Sequence, residues 1–321
     1  MLLREQRSEI VSSILKEQWE KNYLANKRWI LARDDPMRDA TEGRYPPQGP
    51  CLVVGAGPSV NKNLADIDRS LYTIIACDKI TPKLIARDIV PDFICALNAA
   101  HTDVKEWLKP ANMQGVDLIV PCGVNPEAYE DWNGGLLFIN AVTSSGLHER
   151  VKAECGYRDV VIGSNAGTFA YTMAVYLGYN PIAYMGLDFS FLAREEVMRK
   201  YFKPEQIEIF GETIKFLRPE AGYNILEMTD INGDVRYLDL GWFDMAQAFQ
   251  EKARDYAQFF GIRTINCTEG GINYSPYCGS MTLKTFNEKL KGGEIELPDN
   301  GRRDAWDSPG EGADSEKHGD G

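Results

Sequence analysis

Cys51-Leu52-Val53-Val54-Gly55-Ala56-Gly57-Pro58-Ser59 is the stretch whose reading decides the fold. Four consecutive apolar residues bounded by a turn read as a short strand buried on both faces. The strand enters Gly-x-Gly and then a helix-capable segment, Asn61 to Ser70. That order aims free backbone N–H groups and a positive helix end at one point, which suits an anion. Gly55 permits a tight turn and Gly57 lets the backbone approach a ligand. Pro58 fits the first helical position, and Ser59 offers a hydroxyl to the same anion.

Outward from this turn the rhythm repeats. Tyr72 to Cys77 reads as a strand ending at Asp78, and Thr81 to Arg87 as a short helix. Phe93 to Leu97, Val116 to Val120, Leu136 to Ile139 and Val160 to Ile162 read as further strands. Thr168 to Leu177 is a small-residue helix leading to the strand Ile182 to Met185. Gly241 to Phe260 is a long amphipathic helix, followed by a strand at Ile262 to Cys267 and a helix at Thr282 to Leu290. Short apolar strands alternating with helices predict a doubly wound, mostly parallel α/β sheet.

The flanks divide the chain. Residues 1–49 read as an N-terminal helical segment, with Ile10, Ile14, Trp19, Tyr23 and Leu24 as its apolar set, and a Pro/Gly-rich linker from 34. Residues 50–291 form the nucleotide-binding domain, and 292–321 an acidic, Gly-rich disordered tail. Within the domain, residues 190–240 break the rhythm and are expected to be an irregular insertion or lid over the pocket.

Composition narrows the partners. With 321 residues, 44% of them apolar, the chain can bury one large core. A net charge of −12 with no basic stripe disfavours nucleic acid. No run approaches the roughly 18 apolar residues of a membrane span, and the N-terminus is not a secretory signal. The seven cysteines are scattered without zinc spacing and read as reduced core thiols, so a cytoplasmic protein is expected. No metal site is expected.

The second strand and a later cluster add site residues. Asp78 lies 21 residues beyond Gly57, where an acid accepts hydrogen bonds from a ribose hydroxyl. The third glycine of the dinucleotide fingerprint is replaced by Val60, and no P-loop lysine follows. Ser164, Asn165 and Thr168 lie between a strand and a helix, as caps or as groups that bond a base or sugar. Asp188 ends the strand at Met185, and Thr268-Glu269-Gly270-Gly271 follows the last strand on the same rim. The serine-hydrolase elbow, the zinc-protease motif and the kinase loop are absent. His101 and His148 are the histidines within the predicted domain.

Three segments together resemble one family. Val53 to Ser59 followed by Ile89-Val90-Pro91-Asp92-Phe93, and then Gly163 to Phe189 with Gly186-Leu187-Asp188, are similar to the MptE-like domain. That domain is shared by archaeal 6-hydroxymethylpterin pyrophosphokinases and bacterial motility-associated factor (Maf) flagellin glycosyltransferases. Asn232-Gly233-Asp234, the helix from Trp242 and Asn266 to Gly271 resemble the Maf branch. Gly163 to Phe189 also resembles bacterial sialyltransferases, which use CMP-sugars without a metal. The resemblance implies a Rossmann-like fold and a nucleotide-dependent transferase.

The resemblance offers two chemistries. The pterin enzymes move pyrophosphate from ATP with Mg²⁺ and carry an acid-rich segment after the third strand. Here Asn98 stands where an acid is expected, and an amide is a poor Mg²⁺ anchor. This favours a metal-independent glycosyltransferase with a CMP-activated, nonulosonic-acid-type donor and a glycan or protein acceptor, Asn98 bonding the ligand. Maf-like proteins carry a His after Gly-x-Asp, which this chain lacks. Asp188, Glu269 or His101 takes that part, or the chain is a non-catalytic nucleotide- or glycan-binding module.

Overall fold

The computed structural model describes residues 2–39, 48–97, 107–108, 113–143, 146–193, 202–209, 212–219 and 225–295, without the side chains of 2–15, 39, 202–209 and 212–219. Nine strands make one parallel sheet: β1 (Cys51–Val54), β2 (Thr73–Cys77), β3 (Phe93–Cys95), β4 (Asp117–Pro121), β5 (Gly135–Ala141), β6 (Asp159–Val160), β7 (Ile182–Met185), β12 (Thr264–Asn266) and β13 (Gly279–Ser280). Their spatial order is β13-β12-β7-β1-β2-β3-β4-β5-β6. The chain starts in the middle, builds outward to β6, then crosses back to place β7 on the other side of β1. Val54 therefore pairs with Ala76 on one side and Met185 on the other. The order of connection reverses between β1 and β7, and in open parallel sheets that reversal opens a crevice at the strands' carboxyl ends.

Alternation within each strand sends neighbouring side chains to opposite faces. Cys51, Val53, Ile75, Ile119 and Ile139 join the face covered by α5 (Ala166–Tyr176) and α6 (Leu240–Phe260). Leu52, Val54, Ile74 and Ala183 join Leu84 of α3 (Thr81–Ile85) and Leu283 and Phe286 of α7 (Leu283–Lys291) on the other. Farther along that face, Leu118 and Val120 pack with α1 (Leu2–Ala32) and α4 (Leu147–Cys155). Helices on both faces make the sheet doubly wound, as expected.

Three local readings change. The N-terminal segment is one helix, and Leu24 is 55% exposed while Asn22 and Asn26 are buried. Both asparagines donate to backbone carbonyls of the loop after β4: Asn22 to Gly123, and Asn26 to Cys122 and Val124. A helix docked on a loop meets unpaired carbonyls, so amides serve it better than leucine. The start of the linker is ordered: buried Asp35 accepts from the Phe138 N–H, the Tyr157 hydroxyl and the Met37 N–H. The insertion is a regular antiparallel sheet of β8 (Phe202–Ile209), β9 (Glu212–Pro219), β10 (Ile225–Thr229) and β11 (Val235–Asp239), in the order β11-β10-β9-β8. Its strands mix charged with apolar residues and so give no continuous apolar run. The tail beyond residue 295 lies outside the described residues.

Candidate functional site

Three loops meet at the switch point. Gly55 to Pro58 leaves β1, Gly186 to Ser190 leaves β7, and Gly163 to Thr168 enters α5; all line one crevice of about 1420 Å³. Cys77, Asp78 and Lys79 close it at the carboxyl end of β2, Asn140 to Thr143 at that of β5, and the first turns of α6 form a wall.

The glycine turn is packed against its neighbour. Gly55 N–H donates to Met185 O and Gly57 N–H to Gly186 O, each at 2.8 Å. A Cβ on Gly55 would lie 2.4 Å from Gly186 O, and one on Gly57 2.0 Å from Asp188 Oδ2. Both glycines are thus needed for the two turns to touch. Ser59 is buried and turned the same way: its N–H meets Asp188 Oδ1 at 3.1 Å and its Oγ meets Oδ2 at 2.7 Å. The helix that follows Pro58 and Ser59, α2 (Val60–Asn63), has four residues. Gly55, Gly57 and Ser59 are the residues expected to hold a phosphate, and here each of these donors is engaged within the protein. Their donors serve β7 and Asp188, because β1 and β7 are adjacent in register.

The start of α5 lines the crevice as well. Asn165 is its N-cap, with a capping box: its side chain accepts from Thr168 N–H, and the Thr168 hydroxyl accepts from Asn165 N–H. The box fixes the first turn and leaves the N–H groups of Ala166 and Gly167, which have no intrahelical partner, at the crevice. Ser164 is exposed beside them. Asn165 and Thr168 are therefore cap residues, and Ser164 is the side chain of this trio turned to the crevice.

The acids differ in setting. Asp78 is buried at the end of β2, and burial pushes its carboxyl up to about 6, against the pull of the Lys79 N–H and ammonium. Asp188 is 1% exposed; burial raises its carboxyl above the ordinary value, and Ser59, Arg236 and Lys62 restrain the rise. Phe189, next to it, has φ 48°, a left-handed conformation costly for a bulky residue. Glu269 does not line the crevice. Its Oε1 accepts from Asn63 and from Leu283 N–H, the first helical residue of α7, and its carbonyl accepts from Lys62 and Asn232. That is the work of a cap and a strut, not of a catalytic base. Asn98 and His101 lie outside the described residues, and so does the segment around them.

Sequence reading missed Arg236. It is fully buried in β11 and faces both Asp230 and Asp188. An arginine in a short charged strand gives no signal of burial, and only the contact across folds reveals it.

Comparison with known proteins agrees with this frame. The family model described as "6-hydroxymethylpterin diphosphokinase MptE-like" matches residues 21–194, more than half of the chain. The chain belongs to the MptE-like family. The solved structure of the Maf glycosyltransferase from Magnetospirillum magneticum AMB-1 superposes with a TM-score of 0.59 at 17% identity, over 86% of this chain and 41% of that one. The likeness shows a shared fold. An uncharacterized protein of Treponema pallidum (strain Nichols) is 28% identical over 85 residues, 26% of this chain and 38% of that protein. The matched regions thus cover less than half the length of each of these two proteins. Among the described residues, no helix is long and apolar enough to cross a membrane.

Proposed function

We propose that this protein is a nucleotide-dependent transferase, and specifically a glycosyltransferase using a CMP-activated, nonulosonic-acid-type sugar donor. The observation that carries the reading is the convergence of Gly163–Thr168, Asp78 and Asp188 on one switch-point crevice. In this reading the N–H groups of Ala166 and Gly167 and the Ser164 hydroxyl hold the donor phosphate at the positive end of α5. Asp78 accepts from the ribose hydroxyls. As the glycosidic C–O bond breaks, its electron pair passes to the CMP phosphate oxygen, where the helix terminus stabilises the charge. The acceptor oxygen forms the new bond and its proton goes to Asp188, whose raised pKa suits a base. The choice of CMP rests on the likeness of Gly163 to Phe189 to sialyltransferases. Seven buried, free cysteines agree with a cytoplasmic setting.

The family description favours a second reading, a 6-hydroxymethylpterin pyrophosphokinase. That chemistry needs oxygen ligands for Mg²⁺ bound to ATP. Among the described residues no three His, Cys, Asp or Glu side chains converge.

Product assays decide between the two. With EDTA present, CMP release from CMP-N-acetylneuraminate or a related donor is expected. AMP release from ATP that needs both Mg²⁺ and a pterin alcohol, with no CMP release, would overturn the proposal. CMP binding without any release would leave a binding module.

A further inference from the structure

Asp188 follows β7, but the guanidinium that faces it comes from the inserted sheet. Arg236 Nε and Nη2 meet Asp230 Oδ2 at 2.8 and 2.7 Å. The other oxygen of Asp230 accepts the N–H groups of Asn232 and Asp234, which closes the turn between β10 and β11. Arg236 Nη1 stands 3.8 Å from Asp188 Oδ1 and makes no hydrogen bond among the described residues. Gly270 presses on the same group, since a Cβ there would lie 2.5 Å from Nη2. The guanidinium is thus gripped on one side by its own hairpin and directed on the other at the crevice acid.

A buried charge is tolerated only beside a partner. Arg236 has three, Asp230 and the more exposed Asp234 in its hairpin and Asp188 at the switch point, and neither Asp230 nor Asp188 has another guanidinium within ion-pair reach among the described residues. The remaining charged or titratable groups that face Asp188 are Lys62 from α2 and Tyr274 from the loop after β12, while Asp234 faces the guanidinium at 3.8 Å.

We propose that Arg236 is a positioning residue for Asp188: it holds the carboxylate in its Ser59-bonded orientation and keeps it ionised while the β10–β11 hairpin is docked. The inserted sheet then has a defined task. It completes the electrostatics of the crevice from outside the parallel sheet. Arg236 touches no substrate in this arrangement and acts through Asp188. The assignment of Asp188 as proton acceptor rests on the proposed function, whereas its coupling to Arg236 does not.

The test reads Asp188 directly, by carbon-detected NMR titration of ¹³C-aspartate-labelled full-length protein, with Asp188→Asn assigning the resonance. Arg236→Gln should raise the Asp188 midpoint by about one unit or more, and Arg236→Lys, which keeps the charge, should return it most of the way. Asp230→Asn frees the guanidinium from its hairpin partner and should lower the midpoint. If Arg236→Gln does not fold, the Lys and Asp230→Asn variants carry the test. An Asp188 midpoint unchanged in a folded Arg236→Gln protein, or in Asp230→Asn, overturns the proposal. CMP affinity, measured separately on wild type, reports on the glycosyltransferase reading alone, so the two failures are distinguishable.

Discussion

Gly57 and Asp188 show what one residue's absence of a side chain does here. The carboxylate occupies the space a Cβ would take, 2.0 Å away. Gly57→Ala must push Asp188 off Ser59, and overpacking of this kind costs about 1–3 kcal/mol. Urea denaturation should show that loss, and Gly57→Ala with Asp188→Ala should be less destabilising than the sum of the singles. Additive losses would contradict the contact. Asp78 makes a pH prediction. Its folded pKa of about 6 lies above the ordinary 3.8, so the native state binds the proton more tightly. The stabilisation is complete below about pH 3.8 and is lost as pH rises through 6. Asp78→Asn cannot lose it, so the stability of the variant relative to wild type should grow by about 3 kcal/mol from pH 4 to 7, two units at ~1.4 each. A pH-independent difference would show that Asp78 is not buried as described. Residue types and spacing made these positions legible as candidates. Their partners were not legible, because Ser59 and Asp188 are 129 residues apart and meet only when β1 and β7 are in register.

Helices and strands were readable wherever one physical signal dominated. Continuous apolar runs betrayed β1, β2 and β7, and a strong apolar stripe betrayed α6, whose Ala246, Phe249, Ala253 and Tyr256 are buried. The sheet of β8 to β11 sends no such signal, since strands such as Glu212–Pro219 mix charges with apolar residues. By its place after a strand end Glu269 is open to a helix-capping role or a catalytic one. Its Oε1 accepts from Leu283 N–H at the start of α7, beside the N-cap Thr282. Glu269→Ala should therefore cost about 1 kcal/mol in stability, typical of a lost acceptor at a helix start, and leave crevice ligands bound as in wild type. Weakened ligand binding at unchanged stability would restore a functional role. Asn165→Ala, by contrast, removes the capping box of α5. It should lose a similar ~1 kcal/mol and also weaken nucleotide binding, because the first-turn N–H groups lose their fixed direction. Binding unaffected by Asn165→Ala would place the phosphate elsewhere.

The whole molecule joins a parallel sheet, which opens the crevice, to an antiparallel insert, which supplies the cation behind it. The opening motif lines the crevice, while its donors are engaged by β7 and Asp188. What the sequence withheld was the depth of the crevice and the contact of Arg236 with Asp188, both products of long-range packing. The central claim, that this crevice holds a cytidine nucleotide by backbone N–H groups without a divalent cation, is tested most directly by isothermal titration calorimetry. CMP and ATP are each titrated into the full chain with Mg²⁺ and with EDTA. Saturable CMP binding at one site, equal in both buffers and weakened by Asn165→Ala, is the predicted result. Mg²⁺-dependent ATP binding with no heat from CMP would contradict it.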